Sequence, residues 1–174
     1  MNIDTSINLF MQNIETPILT SLSKIIDIAL DPLTLIIASI LIASVLYFTN
    51  NKKQSILLIS TMAVAGILIK GFKFIFNRTR PIDMLIKESS NSLPSGHATI
   101  AIVFFGVLAF IVLVTKKNKL KFMKPIIITK VIFISLISGA SRLYLRVHWF
   151  TDVIAGFVLG GIILISGIIL YKKY

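Results

Sequence analysis

The chain has no cysteine, which excludes disulfides, thiolate metal sites and cysteine nucleophiles. It has little charge: 14% of residues, where a soluble domain carries about 25%. Acids are scarcer still, with 7 Asp and Glu against 18 Lys and Arg, for a net charge of +11. Histidine occurs twice and tryptophan once. No internal repeat and no low-complexity linker breaks the chain. Met1-Asn2-Ile3-Asp4-Thr5 lacks a basic run followed by an apolar core, so no cleavable signal is expected.

What is abundant is apolar surface. Hydrophobic residues make up 56% of the 174, with a mean hydropathy of +0.92. That is the composition of an integral membrane protein, and the length suits one domain, residues 1–174. Crossing a hydrocarbon core takes about 20 helical residues. Runs near 33–49, 55–76, 97–115, 125–141 and 149–170 meet or approach that length. Residues 1–31 show instead a helical stripe, Ile18, Leu19, Leu22, Ile25, Ile26, Ala29 and Leu30, with Ser21, Lys24 and Asp27 opposite. A weaker stripe of Ile3, Ile7, Phe10, Met11 and Ile14 precedes Pro17. The expected fold is an all-α membrane helical bundle. Five transmembrane helices fall within 33–172, and two amphipathic helices either lie in the interface or pack on the bundle.

The connections alternate in charge. Asn50–Lys53, Lys116–Lys121 with Lys124, and Lys172-Lys173 are basic and contain no acid. All seven acids fall in the other set. Lysine-rich short loops mark the cytoplasmic side, so the C-terminus is expected inside and the remaining connections at the outer face. The positive charge follows these loops and no soluble face, so a nucleic-acid partner is not expected.

Three polar blocks stand in that outer set. In the first, Lys73 ends a span and Arg80-Pro81 follows seven residues on. Two turns return a helix to nearly the same face, so both cations can meet one anion if the helix continues, while Pro81 favours a turn at Arg80. In the second, Pro94-Ser95-Gly96-His97 opens an apolar helix. Ser95 can cap it, Gly96 lets backbone approach a ligand, and the helix start favours an anion beside His97. In the third, Ser141-Arg142 is followed by His148 and Asp152. Four residues apart, His148 and Asp152 share one helix face, where the carboxylate can orient the imidazole and leave its other nitrogen nucleophilic. Arg142 supplies the fork suited to phosphate.

Taken singly, these blocks also read as interfacial anchors, a helix start and a structural pair. Together they place both histidines and the strongest phosphate ligands at one membrane face, a set able to bind phosphate, attack it and protonate a leaving group. At these residues the chain resembles the type 2 phosphatidic acid phosphatase superfamily of membrane lipid phosphate phosphatases. That signature reads Lys-x6-Arg-Pro, Pro-Ser-Gly-His and Ser-Arg-x5-His-x3-Asp, and every defined position matches. The resemblance runs from about residue 33 to 170. It implies a metal- and cofactor-independent hydrolase acting on a lipid phosphate or diphosphate. His148 would be the nucleophile, Asp152 its orienting carboxylate and His97 the proton donor. Lys73, Arg80 and Arg142 would neutralise the phosphoryl oxygens, and Ser95 and Gly96 would add hydrogen bonds. Many members have six spans and this chain five; short members resembling undecaprenyl diphosphate phosphatases begin with a similar segment. A polyprenyl diphosphate is therefore the favoured substrate, with phosphatidylglycerophosphate or phosphatidate as the alternative. A lipid phosphotransferase and a non-catalytic binder of anionic lipid are the readings from other classes.

Four further expectations follow. Gly156-x3-Gly160-Gly161 forms a close-packing face. Tyr144 and Trp149 anchor at the interface. Arg78 and Arg146 are weighed as contacts to a second phosphate. The stretch Lys87–Ser92 forms a lip over the site.

Overall fold

A computed structural model describes residues 2–115 and 121–173, so residues 116–120 of the lysine-rich connection lie outside the described residues. Every regular element described is helical: α1 (Ile3–Asn13), α2 (Pro17–Ala29), α3 (Pro32–Phe48), α4 (Lys52–Phe76), α5 (Gly96–Thr115), α6 (Lys124–Tyr144, entered through the 3₁₀ turn Lys121–Met123) and α7 (Phe150–Lys173). Five runs are long and apolar enough to cross a membrane. The chain is a multi-pass membrane protein.

Local chemistry sets the breaks. Asn2 Oδ1 accepts from the Thr5 amide at 2.9 Å to start α1. Thr16 caps α2 with Pro17 in its first turn. The first apolar run, Pro17–Phe48, is broken where Asp31 Oδ1 accepts from the amides of Leu33 (2.8 Å) and Thr34 (3.3 Å) and Pro32 opens α3. α4 stops at Asn77, whose left-handed φ of 42° turns the chain away. The helix therefore does not run on to Arg80.

Lipid tails are as apolar as leucine, so helices in a bilayer associate through close packing and small residues. α5 is the centre of the bundle, with Ala98, Ala101, Val103 and Val107 fully buried against α4, α6 and α7. Glycine lets α7 reach it. A Cβ at Gly156 would stand 2.7 Å from the Ser95 carbonyl, and one at Gly160 2.8 Å from that of Thr99. Gly161 faces open space, so the packing face is Gly156 and Gly160 alone. Large apolar side chains such as Phe48, Phe74, Val158 and Ile165 cover the outside.

The N-terminal helices pack on the bundle with their apolar faces outward. Ile18, Leu22 and Ile25 of the apolar stripe stay exposed, while Ser23 is buried and α2 lies against α6 with its polar side. α1 likewise buries Asp4 and exposes Ile3 and Phe10. The reason is electrostatic, because the cations they cover need carboxylate partners. Tyr144 is part of the same contact. It is buried, and its hydroxyl lies 3.0 Å from Thr20 Oγ1 and donates to the Thr16 carbonyl at 3.1 Å, so it is a packing residue and no interfacial anchor.

Candidate active site

The chain leaves α4 at Asn77 and returns through residues 78–95 to the start of α5, and the turn 145–149 joins α6 to α7. Both connections and the α2–α3 junction meet at one end of the bundle, over a cavity of 350 Å³. Lys73, Arg80, Arg142, His97 and His148 line its polar end. Ile36, Ile69 and Ile100, from α3, α4 and α5, line its apolar end.

Lys73 and Arg80 converge through the loop and not along a helix. Lys73 Nζ donates to Ser90 Oγ (2.9 Å) and to the Asn91 carbonyl (2.7 Å). Arg80 Nε donates to the Ser90 carbonyl at 2.6 Å. The lip 87–92 is thereby pinned, and Ser92 is fully buried, bonded to the carbonyls of Arg78 and Thr79.

The 145–149 turn is set by Arg146, a non-glycine at φ 53°. Its guanidinium holds Asp83 (2.8 Å) and Glu15 (2.7 Å), which offsets the cost of that backbone. Its neighbour Val147 gives its carbonyl to Arg80 Nη1 at 2.5 Å, and His148 follows into the cavity. His148 Nδ1 lies 3.5 Å from Asp152 Oδ2, and Nε2 lies 3.3 Å from Arg80 Nη1. Arginine can only donate, so Nε2 is the acceptor and Nδ1 carries the proton toward the carboxylate. Burial holds the His148 pKa far down, to about 3, although Asp152 pulls it up. The ring is neutral at ordinary pH, and its Nε2 lone pair meets Arg80 at the cavity wall.

His97 stands in the first turn of α5, with Nε2 3.1 Å from Asp27 Oδ1 and 3.4 Å from the Asp27 carbonyl. Both are acceptors, so Nε2 carries a proton. Arg142, 1% exposed, bonds Asp27 through Nη1 and Glu88 through Nη2 at 2.5 Å; among the described residues its Nε has no hydrogen-bond partner. Gly96 lines the cavity and Ser95 does not. Ser95 is fully buried, with its hydroxyl 3.5 Å from the Ala98 amide, the place of a helix cap. Arg78 and Arg146 are absent from the cavity wall and paired with Asp4, Asp152, Glu15 and Asp83. Trp149 packs under Arg78 and donates from Nε1 to the Thr79 carbonyl.

Sequence reasoning missed the carboxylates. Asp27 and Glu88 sit on the cations assigned to phosphate, and Glu88 also lies 3.6 Å from Arg80. Their signal was the confinement of all seven acids to the connections that carry the cations. Two carboxylates on a phosphate seat compete with phosphate. Glu88→Gln is expected to tighten inhibition by orthovanadate about fivefold, roughly the 1 kcal/mol of a half-exposed pair. An unchanged or weaker inhibition constant would show that Glu88 is no competitor.

A sequence model described as the PAP2 superfamily matches residues 54–174. Phosphatidylglycerophosphatase B of Bacillus subtilis strain 168 is 32% identical over 122 residues, covering 70% of this chain and 60% of the relative. Undecaprenyl-diphosphatase of Sulfolobus acidocaldarius is 31% identical over 125 residues, covering 68% and 55%. The chain thus matches less than two thirds of either relative's length. The crystal structure of a transmembrane PAP2-type phosphatidylglycerolphosphate phosphatase from Bacillus subtilis superposes with a TM-score of 0.90 at 28% identity, over 98% of this chain and 85% of that one. Aquifex aeolicus LpxE shares the fold, with a TM-score of 0.74 at 22% identity over 100% and 97%.

Proposed function

Because the chain belongs to the PAP2 superfamily, we propose that it is a membrane lipid phosphatase, removing the terminal phosphoryl group of a lipid phosphate or diphosphate through a phosphohistidine on His148. The observation that carries this reading is the composite cavity: His148 with a free-base Nε2, His97 with a donor Nε2, and the cations Lys73, Arg80 and Arg142 share one cavity with Ile36, Ile69 and Ile100. A phosphate headgroup and the start of its tail fit those two sets.

The steps balance with this chain's own groups. Nε2 of His148 donates its lone pair to phosphorus as the bond to the leaving oxygen breaks. His97, doubly protonated once the phosphate's negative charge lies beside it, gives that oxygen its Nε2 proton and is left neutral. Asp152 steadies the Nδ1–H as the ring gains positive character. Lys73, Arg80 and Arg142 face the phosphoryl oxygens, and such preorganised charge is usually the largest catalytic term. Water then attacks the phosphohistidine, His97 takes its proton, and the P–N bond breaks to release phosphate. The cations supply the charge neutralisation, so the reaction is expected to need no metal or cofactor. Lys52 and Lys53, Lys124, and Lys172 and Lys173 stand at the helix ends away from the cavity, which supports an extracytoplasmic site and a cytoplasmic C-terminus.

The favoured substrate is a polyprenyl diphosphate, in keeping with the Sulfolobus relative. Phosphatidylglycerophosphate is the second reading, and the superposition on the Bacillus structure favours it. Purified protein in detergent with excess chelator would be offered undecaprenyl diphosphate, phosphatidylglycerophosphate and phosphatidate. Phosphate release at full rate is expected, with a preference of tenfold or more for one lipid. Strict dependence on added divalent metal would defeat the mechanism. Consumption of lipid without phosphate release would point to a phosphotransferase, and no turnover of any lipid to a binding protein.

A further inference from the structure

Behind Asp152 lie two charges that the reaction steps leave unused, Arg78 and its partner Asp4. We propose that Arg78 is a positioning residue for Asp152 and that Asp4 is its counter-charge, which makes helix α1 a working part of the active site. The proposal rests on the reading that His148 and Asp152 carry the chemistry.

Asp152 is fully buried, and its two oxygens have different duties. Oδ2 accepts from the Trp149 amide at 2.9 Å, a bond that caps the start of α7, and is the oxygen facing His148 Nδ1. Oδ1 accepts from Arg78 Nη1 at 2.6 Å. With one oxygen held by the backbone and the other by a guanidinium, the carboxylate plane is fixed, and with it the ring nitrogen it orients. Arg78 is itself held on every side. Nη1 also reaches Thr151 Oγ1 at 2.6 Å, its carbonyl accepts from the Ser92 amide at 2.9 Å, and its guanidinium lies 5.8 Å above the Trp149 ring.

A cation bonded directly to Asp152 has a cost. Alone, it would cancel the carboxylate's charge and weaken its hold on an imidazole that becomes positive during attack. Asp4 removes that cost. It is buried, and it accepts from Arg78 Nη2 (2.6 Å), the Thr151 amide (2.9 Å) and Thr151 Oγ1 (2.8 Å). Burial would raise its pKa, but the bonds from Thr151 and Arg78 outweigh this and hold it below the usual carboxylate range. Asp4, Arg78 and Asp152 together carry one negative charge, so Asp152 keeps its full effect on His148 while gaining a fixed geometry.

The test is a double-mutant cycle in the full chain, with soluble dioctanoyl phosphatidate as probe and His148→Ala and Asp152→Asn as controls. Arg78→Gln is expected to lower kcat about 30-fold with KM within threefold, the size usual for an outer partner of a catalytic group. Asp4→Asn is expected to lower kcat about fivefold. The double variant is expected to match Arg78→Gln within twofold, because Asp4 acts through Arg78. Arg78→Lys keeps the charge but cannot span both carboxylates, so about a tenfold loss is expected; it also decides the matter if Arg78→Gln does not fold. Inhibition by inorganic phosphate unchanged within threefold certifies an intact phosphate seat in each variant. Wild-type kcat in either Arg78 variant overturns the proposal, and so does a double variant whose loss is the product of the singles, since Asp4 would then be only an anchor for α1. A wild-type protein inactive on the probe, or controls that remain active, would instead overturn the catalytic reading and this proposal with it.

Discussion

His148→Ala is expected to abolish turnover, by about 10³-fold or more, without loss of the fold, because the variant removes the atom that bonds to phosphorus. The reasoning is geometric. Arg80 donates toward Nε2 and Asp152 faces Nδ1, so one tautomer is selected, with the lone pair on Nε2, where a bound phosphoryl group takes over the Arg80 contact. Burial adds to this. With the pKa pushed down to about 3, the ring needs no deprotonation to attack, and a loss of rate between pH 7 and pH 5 is not expected to follow an ordinary histidine near 6.5. Linkage gives an independent sign. A buried histidine whose folded pKa is depressed contributes no penalty above 6.5 and costs stability progressively as pH falls from there toward 3, because the unfolded chain takes up the proton first. His148→Ala removes that cost, so its melting temperature should fall less between pH 7 and pH 5 than that of the unmutated chain. Radiolabelled substrate, quenched in alkali where phosphohistidine survives, should leave label on His148 Nε2. Turnover above a hundredth of normal in the variant, or label on another residue, would sink the assignment.

Most of the residues that line the cavity were legible in the sequence because their spacing is tight. Asp152 lies four residues beyond His148, and the two come within 3.5 Å, although His148 stands in the turn before α7 and not on the helix face the spacing suggested. The spans were legible for the same reason. Apolar run length is a physical requirement of the bilayer, and observed bounds such as Gly96–Thr115 differ from expectation by a residue or so. α6 runs three residues further than expected, to Tyr144, because the α1–α2 contact buries its last turn. What spacing could not reveal is which charge meets which across long separations. Arg142 pairs with Asp27 and Glu88, 115 and 54 residues away. Those partners follow from where α2 and the 78–95 loop come to rest. The amphipathic stripe of α2 left open whether the helix lies in the interface or packs on the bundle; it does pack on α6, and its apolar face stays outward, as a bilayer allows.

Arg142→Lys tests the part of the site that shape decides. Both side chains are cations, so a seat that needed only charge would tolerate the change. The guanidinium here does more. Nη1 and Nη2 reach two different carboxylates, Asp27 and Glu88, from a side chain 1% exposed, and Nε stands buried without a hydrogen-bond partner among the described residues. Three donors in one plane face the seat, and a phosphoryl group that displaces the carboxylates can take two of them at once. Lysine offers a single point of charge on a stem that must be desolvated at the same depth, and it leaves the carboxylates less well paired. Loss of one preorganised donor to a developing oxyanion typically costs about 10²–10³ in rate, and Arg142→Lys is expected to fall in that range. Because the lost contacts strengthen as charge accumulates on the oxygens, the effect belongs mainly in kcat, with orthovanadate inhibition weakened in parallel and substrate KM little changed. A variant with wild-type kcat and a raised KM would show that Arg142 binds the ground state as a simple cation. The planar fork would then have no special part in the chemistry.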